Sequence, residues 1–209
     1  MAEKDKVDKR EHILNAAERV FGEMGYEGAS TRHLASEAGV NMAMINYYFG
    51  SKDGLLKSVL ERRMLIMRNA LQEVVAQARD SREKLMGAID LYINKVSSNN
   101  FFHRIIHREI SFSQRSELSD FISENVFTNV STFRDIIREG IENGSFKPVD
   151  AEMTVASIFG TIYYIVNSEC IASRMMEVDF TDREAVEEKV KPRIKRFLQD
   201  YLQVHLIKQ

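Results

Sequence analysis

The side chains best suited to chemistry cluster between Gly28 and Lys52. Arg32 and Lys52 can pair with phosphate oxygens, and helix N-terminal amides add neutral donors. The amides of Asn41 and Asn46 can read an adenine edge. His33, Met42 and Tyr47 complete the candidates for an exposed face. Across that stretch the only formal charges are Arg32, Glu37 and Lys52, so little negative charge opposes a phosphate backbone. This is polyanion-binding chemistry, and with so few cations its affinity depends on having two such faces.

Other chemistry has less to stand on. His103 and His107 are four residues apart, with Glu109 close by, and could begin a metal site on one helix face. Arg104 and Arg108 sit beside them, however, and no HExxH, GxSxG, CxxC or phosphate-cradling glycine loop is present. No enzyme activity, metal or cofactor is therefore expected. Cys170 is the single cysteine, which excludes an intramolecular disulfide, fits a reducing cytosol and reads as a small buried apolar residue.

The elements that position the cluster follow from composition. The chain has 209 residues, 44% hydrophobic and 29% charged, which fits an ordered core. The charges nearly cancel, 29 basic against 31 acidic, so any nucleic-acid contact must come from a local face. The charged N-terminus lacks an apolar signal segment, and no apolar run reaches about 18 residues, so a cytoplasmic protein without a membrane span is expected. Pro148 and Pro192 are the only prolines, and no repeated alternating runs of β-branched residues occur. An all-α fold is predicted. Six of the ten glycines fall at or before Gly54, which predicts short helices first and long ones afterwards.

In the head, Ile13, Ala16, Ala17, Val20, Phe21 and Met24 place a first helix from about Asp8 to Phe21 or Met24. Ser30 or Thr31 can cap a second, Thr31 to Ala38, with Gly39 just past its end. Asn41 can cap a third, Met42 to Tyr48, with Ile45, Tyr48 and Phe49 inward. Two short helices around a glycine turn have helix-turn-helix spacing, although an ordinary helical hairpin has it too. Beyond Ser51 the stripes lengthen. Leu55, Leu56, Val59, Leu60, Met64 and Met67 mark a fourth helix; others cover Ser81 to Val96, a run from Phe101 interrupted near 111–116, and Leu118 to Glu139. Asp150 or the residue after it can cap a helix reaching about Ala172. Its centre, Thr154 to Val166, is apolar on several sides, as if packed on its own body and on a second chain. The last helix, Asp182 to Leu206, contains Pro192, which predicts a kink or a restart with proline in the first turn.

The stretch from Gly25 to Leu60 resembles the DNA-binding signature of the TetR family of bacterial transcriptional regulators. The resemblance rests on Ser30-Thr31-Arg32, Leu34-Ala35, Ala38-Gly39-Val40, Asn46-Tyr47-Tyr48-Phe49, Ser51-Lys52-Asp53 and Leu55-Leu56. It implies a DNA-binding domain over 1–52 and a helical ligand-binding and dimerisation domain over 53–209. It places phosphate contacts on Ser30, Thr31, Arg32, Tyr47 and Lys52, and a recognition helix from Asn41 to Tyr47. That helix contains no arginine or lysine, so base reading would lean on Asn41, Asn46 and apolar contacts from Met42, Ala43 or Met44 to thymine methyls.

The resemblance also implies a homodimer on a pseudo-palindromic operator, joined through the last two long helices. The candidate contacts there are Val155, Ile158, Phe159, Ile162, Ile194, Phe197, Leu198 and Tyr201. It implies a pocket for a small-molecule effector that releases the protein from DNA, with candidates Met64, Met67, Phe101, Phe102, Phe127, Phe133, Tyr163 and Tyr164, each equally suited to core packing. Such an effector must bind the DNA-incompetent state more tightly. The remaining alternative is a helical dimeric interaction module whose head no longer binds DNA.

Overall fold

A computed structural model describes the backbone of residues 2–98, 100–112 and 117–207 and the side chains of 8–96, 102–107, 110 and 117–207. Every regular element among the described residues is helical: α1 (Ala2–Gly28), α2 (Thr31–Glu37), α3 (Met42–Phe49), α4 (Lys52–Gln77), α5 (Ser81–Ser98), α6 (Asn100–Phe112), α7 (Glu117–Glu142), α8 (Ala151–Asn167), α9 (Glu169–Met176), α10 (Arg183–Ala185), a π-helical turn (Val186–Val190) and α11 (Lys191–Leu206). The expected all-α fold is the observed one. By packing, the chain divides into two compact units, Met1–Ile66 with Phe101–Asn125, and Met67–Asn100 with Val126–Gln209. Among the described residues no single helix is long and apolar enough to cross a membrane.

In the first unit, α1 begins well before the predicted Asp8 and is interrupted at Gly25 (φ 74°, ψ 172°), where a second short piece begins. Of its predicted stripe, Ile13, Ala16, Ala17, Val20 and Phe21 are buried together with Leu14, whereas Met24, next to the break at Gly25, is exposed rather than inward. Charged groups bind α4 to α1. Arg62 Nη1 donates to Glu11 Oε2 (3.2 Å) and Asn15 Oδ1 (2.8 Å), and its Nη2 donates to Glu18. Arg63 Nε donates to Glu18 Oε1 (3.1 Å), while its guanidinium lies 4.1 Å from the centre of the Phe102 ring on α6. Hydrogen-bonded arginines shared among several carboxylates are worth more than isolated surface pairs, because each bond after the first orders little further side chain.

The core of the second unit joins α5 (Leu85, Ala88, Ile89, Ile93), α7 (Phe133, Ile136, Ile137), α8 (Val155, Ile158, Ile162) and α11 (Ile194, Leu198, Leu202) at helical spacing. Asp150 caps α8, accepting from Met153 N–H (2.9 Å) as predicted. The helix stops at Asn167, short of the expected Ala172. Ser168 leaves helical geometry (φ −102°, ψ 47°), and α9 departs at 94°. The Asn167 side-chain amide donates to the Tyr163 carbonyl (3.0 Å), and the Ser168 N–H closes the last turn on the Tyr164 carbonyl (3.0 Å). The final stripe is likewise not one uninterrupted α-helix. Asp182 caps α10, the chain widens into the π-turn, and α11 restarts with Pro192 in its first turn. The Lys191 amide bonds back to the Val186 carbonyl, a five-residue step, just before the residue that has no donor. The interruption predicted near 111–116 falls mostly outside the described residues.

His103 on α6 is largely buried. That burial first, and the nearby Arg63 charge second, push its imidazole down to about 4. The folded state therefore favours the neutral ring. Its contribution to stability is complete above the ordinary histidine value of 6.5 and is lost as pH falls toward 4. Urea unfolding across that window should show stability falling, and His103→Leu should remove part of the slope.

Candidate functional site

The surface of α3 is dictated by what its other side must bury. Ile45 and Phe49 are buried, as are Leu34, Ala35 and Ala38 on and just after α2. The small Ala35 allows the two short helices to cross closely. Met42, Ala43, Asn46 and Tyr47 then form the opposite, exposed face, with Tyr47 68% exposed. Caps set both helix starts. Ser30 Oγ accepts from His33 N–H (3.1 Å), and Asn41 Oδ1 accepts from Met44 N–H (3.0 Å). Between them Gly39 N–H donates to Ser36 and Val40 N–H donates to Ala35, closing the turn.

Each candidate in the head can now be placed. Arg32 is exposed at the start of α2, and Thr31 is partly covered. Ser30 and Asn41 are exposed but spend an oxygen on capping, so Asn46 is the amide best able to present both its groups outward. Tyr47 packs edge-on to Tyr48 (5.0 Å). Lys52 opens α4, with its ammonium 4.0 Å from the centre of the Tyr26 ring. Tyr26 is a residue that spacing alone does not single out. Its only signal was an aromatic residue inside the glycine-flanked turn Gly25–Gly28. The turn into α4 is tight. Ser51 Oγ accepts from Gly54 N–H (3.0 Å), and a Cβ on Gly54 would lie 1.9 Å from the Phe49 carbonyl oxygen.

Residues 13–59 match the family model for bacterial regulatory proteins of the tetR family, and residues 78–167 match that for a tetracyclin repressor-like C-terminal domain. The chain belongs to the TetR family. It is a dimeric, ligand-responsive, DNA-binding transcriptional regulator. It is 28% identical over 160 residues to the fatty acid metabolism regulator protein of Bacillus subtilis (strain 168), covering 76% of this chain and 82% of that protein. Among solved structures, it resembles a putative transcriptional regulator from Saccharomonospora viridis in complex with choline, with a TM-score of 0.81 at 19% identity over 97% of this chain and all of that one. It also resembles the transcriptional regulator FadR from Bacillus subtilis in complex with stearoyl-CoA, with a TM-score of 0.68 at 24% identity over 90% and 96% of the two chains. At these identities the structural likenesses show the fold.

The remaining site candidates of this TetR-family chain fare unevenly. Met64, Phe102 and Phe133 are buried in their own units, and Met67 is partly buried. Tyr163 is partly covered, and desolvation raises its phenol above the ordinary value. Tyr164 and Phe127 are exposed, with the Arg134 guanidinium 5.8 Å from the Phe127 ring, so neither is an enclosed pocket wall in this chain. The Phe101 side chain lies outside the described residues. A cavity of about 330 Å³ in the second unit is lined by Leu85, Met86, Phe146, Leu202 and Leu206 among others, and by none of the ligand candidates.

Five of the eight dimer candidates need correction. Val155, Ile158, Ile162, Ile194 and Leu198 are buried in the chain's own core and leave nothing for a partner to touch. Phe197 is exposed, and Phe159 and Tyr201 are partly so. The exposed line on α8 is instead Met153, Ala156, Gly160 and Tyr164, three and four residues apart. Cys170 is exposed, not buried as expected. No cluster of three or more His, Cys, Asp or Glu suited to a metal occurs among the described residues.

Gly54→Ala should separate the α3–α4 corner. With backbone rather than a flexible side chain in the way, overpacking of this kind costs about 1–3 kcal/mol, measurable by urea unfolding. DNA binding should fall further than that loss of folded protein accounts for.

Proposed function

We propose that this regulator is a cytoplasmic repressor whose two heads read a pseudo-palindromic operator and let go when an effector binds the body. Residues 1–52 supply the DNA-binding part and 53–209 the ligand-binding and dimerisation part. The observation that carries the DNA reading is the exposed α3 face, Met42, Ala43, Asn46 and Tyr47, flanked by cations at two helix starts, Arg32 and Lys52. Phosphate contacts come from Ser30, Thr31, Arg32, Tyr47 and Lys52. Sequence is read by Asn46, with Met42 and Ala43 against thymine methyls. The dimer forms through the exposed faces of α8 and α11, centred on Met153, Ala156, Gly160 and Tyr164 and on Phe197 and Tyr201. One head with so few cations binds weakly; two on one body gain by effective concentration.

Selection of bound duplexes from a randomised pool tests this reading. A single motif of two inverted half-sites is expected, bound more weakly as salt rises. Arg32→Ala should weaken all duplexes alike, whereas Asn46→Ala should relax preference at one position of each half-site, by about 1–3 kcal/mol. A dimer that recovers no motif and shows no salt-dependent affinity is the interaction module instead.

The effector is proposed to be an acyl thioester of coenzyme A, since one relative regulates fatty acid metabolism and one structural neighbour holds stearoyl-CoA. A second reading, a quaternary ammonium compound, is favoured by the choline-bound neighbour and by an aromatic cluster in the body. Tyr92, Phe133 and Phe159 meet there at ring-centre distances of 4.6 to 6.2 Å. Stearoyl-CoA and choline are the probes. The effector should raise the melting temperature, by about 2.7 kcal/mol of stabilisation at a hundredfold excess over Kd, and should release the selected duplex. Stabilisation by choline alone would select the second reading.

A further inference from the structure

We propose that Tyr26 is a positioning residue for DNA binding: it grips Lys52 and Asp53 together and presents the Lys52 ammonium to the phosphate backbone already ordered. The inference rests on the reading of Lys52 as a phosphate contact.

The arrangement begins in the backbone. Gly25 adopts φ 74° and ψ 172°, a region essentially closed to residues with a Cβ. The α1 helix breaks there, and Tyr26 leaves its axis to stack on Phe21, ring centres 6.1 Å apart. Phe21 is fully buried, so Tyr26 rests on a fixed wall. From that position it holds two consecutive residues of α4 by different chemistry. Its ring lies under the Lys52 ammonium at 4.0 Å, and its hydroxyl donates to Asp53 Oδ1. Neighbours in a helix do not face each other, so Lys52 and Asp53 are poorly placed to satisfy one another. An aromatic ring with a hydroxyl at its tip can serve both.

The consequence for binding is entropic and electrostatic. A lysine carries its charge on a flexible four-carbon stem, and ordering that stem upon contact weakens binding. A ring that already confines the ammonium removes part of that cost, while leaving the charge free to exchange counterions for phosphate. Asp53 is the negative charge closest in sequence to Lys52, and the Tyr26 hydroxyl ties it down. Burial first, then the Asp53 hydrogen bond and charge, push the phenol up to about 12, so the hydroxyl keeps its proton and goes on donating at any physiological pH.

The test uses the full-length dimer and the duplex recovered by selection. Affinity is measured by fluorescence anisotropy as a function of salt for wild type, Lys52→Ala, Tyr26→Leu and the double variant, with melting temperature recorded for each. Losing one phosphate contact lowers the slope of log affinity against log salt by about 0.9. Lys52→Ala should show that loss per head. Tyr26→Leu should reproduce much of it, with a roughly three- to tenfold drop in affinity, and the double variant should bind no worse than Lys52→Ala. A merely structural tyrosine would lower the melting temperature and leave the salt slope unchanged, or would add its full effect to Lys52→Ala; either result overturns the proposal. An unchanged slope in Lys52→Ala removes the phosphate contact itself, and the inference with it. If Tyr26→Leu does not fold, Tyr26→Phe decides. It must weaken binding in the wild-type background and have no effect where Asp53 is already alanine.

Discussion

The head depends on burying one side of a helix too short to stand by itself. An eight-residue helix such as α3 is unstable in water, because few hydrogen bonds repay the ordering of its first turn. It persists because Ile45 and Phe49 are buried and because Asn41 caps its start. Once that side is committed, Met42, Ala43, Asn46 and Tyr47 have nowhere to go but outward. The reading face is thus the complement of a packing requirement. This is also why it can lack arginine and lysine entirely: folding specifies where the face lies, and its chemistry is free to vary.

The cations that this face lacks are supplied at its borders, where structure orders them. Arg32 stands one residue into α2 and Lys52 at the first residue of α4, so both lie at helix starts, whose amides favour anions. Within the same unit, Arg62 and Arg63 bind α4 to α1 through Glu11, Asn15 and Glu18, and Arg63 also covers Phe102 of α6. One pair of adjacent side chains on α4 therefore touches two further helices. Arg63 thereby links α6 to Glu18 of α1 through a single guanidinium.

The body shows how breaks in regular structure follow from single residues. Pro192 lacks a donor and would crowd the preceding turn of a continuous α-helix. The chain widens into a π-turn just before it, and α11 restarts with the proline where no donor is needed. At Ser168 the backbone leaves helical geometry, which ends α8 and turns the chain by 94°. The apolar run that reads as a single helix to Ala172 is therefore two, and their exposed residues include Tyr164 on one and Ile171 and Met175 on the other.

The long α1 departs from the short-helix expectation for the head. Residue order alone determined the helical class, the two short helices α2 and α3 around their glycine turn, the capping of α3 by Asn41, and the cluster of candidate contacts from Ser30 to Lys52. These are local properties: a cap acts over three residues and an apolar stripe over four, so both are written in the spacing. Only the tertiary structure decided which apolar residues of α8 and α11 face inward. Val155, Ile158, Ile162, Ile194 and Leu198 lie inside, whereas Met153, Tyr164 and Phe197 lie outside. A helix that is apolar on several sides carries no internal sign of which side its own chain will claim. The role of Tyr26 was hidden for the same reason. Lys52 and Asp53 are distant from it in sequence, and what brings them together is the backbone turn at Gly25 and the stack on Phe21, a packing event that no local spacing encodes.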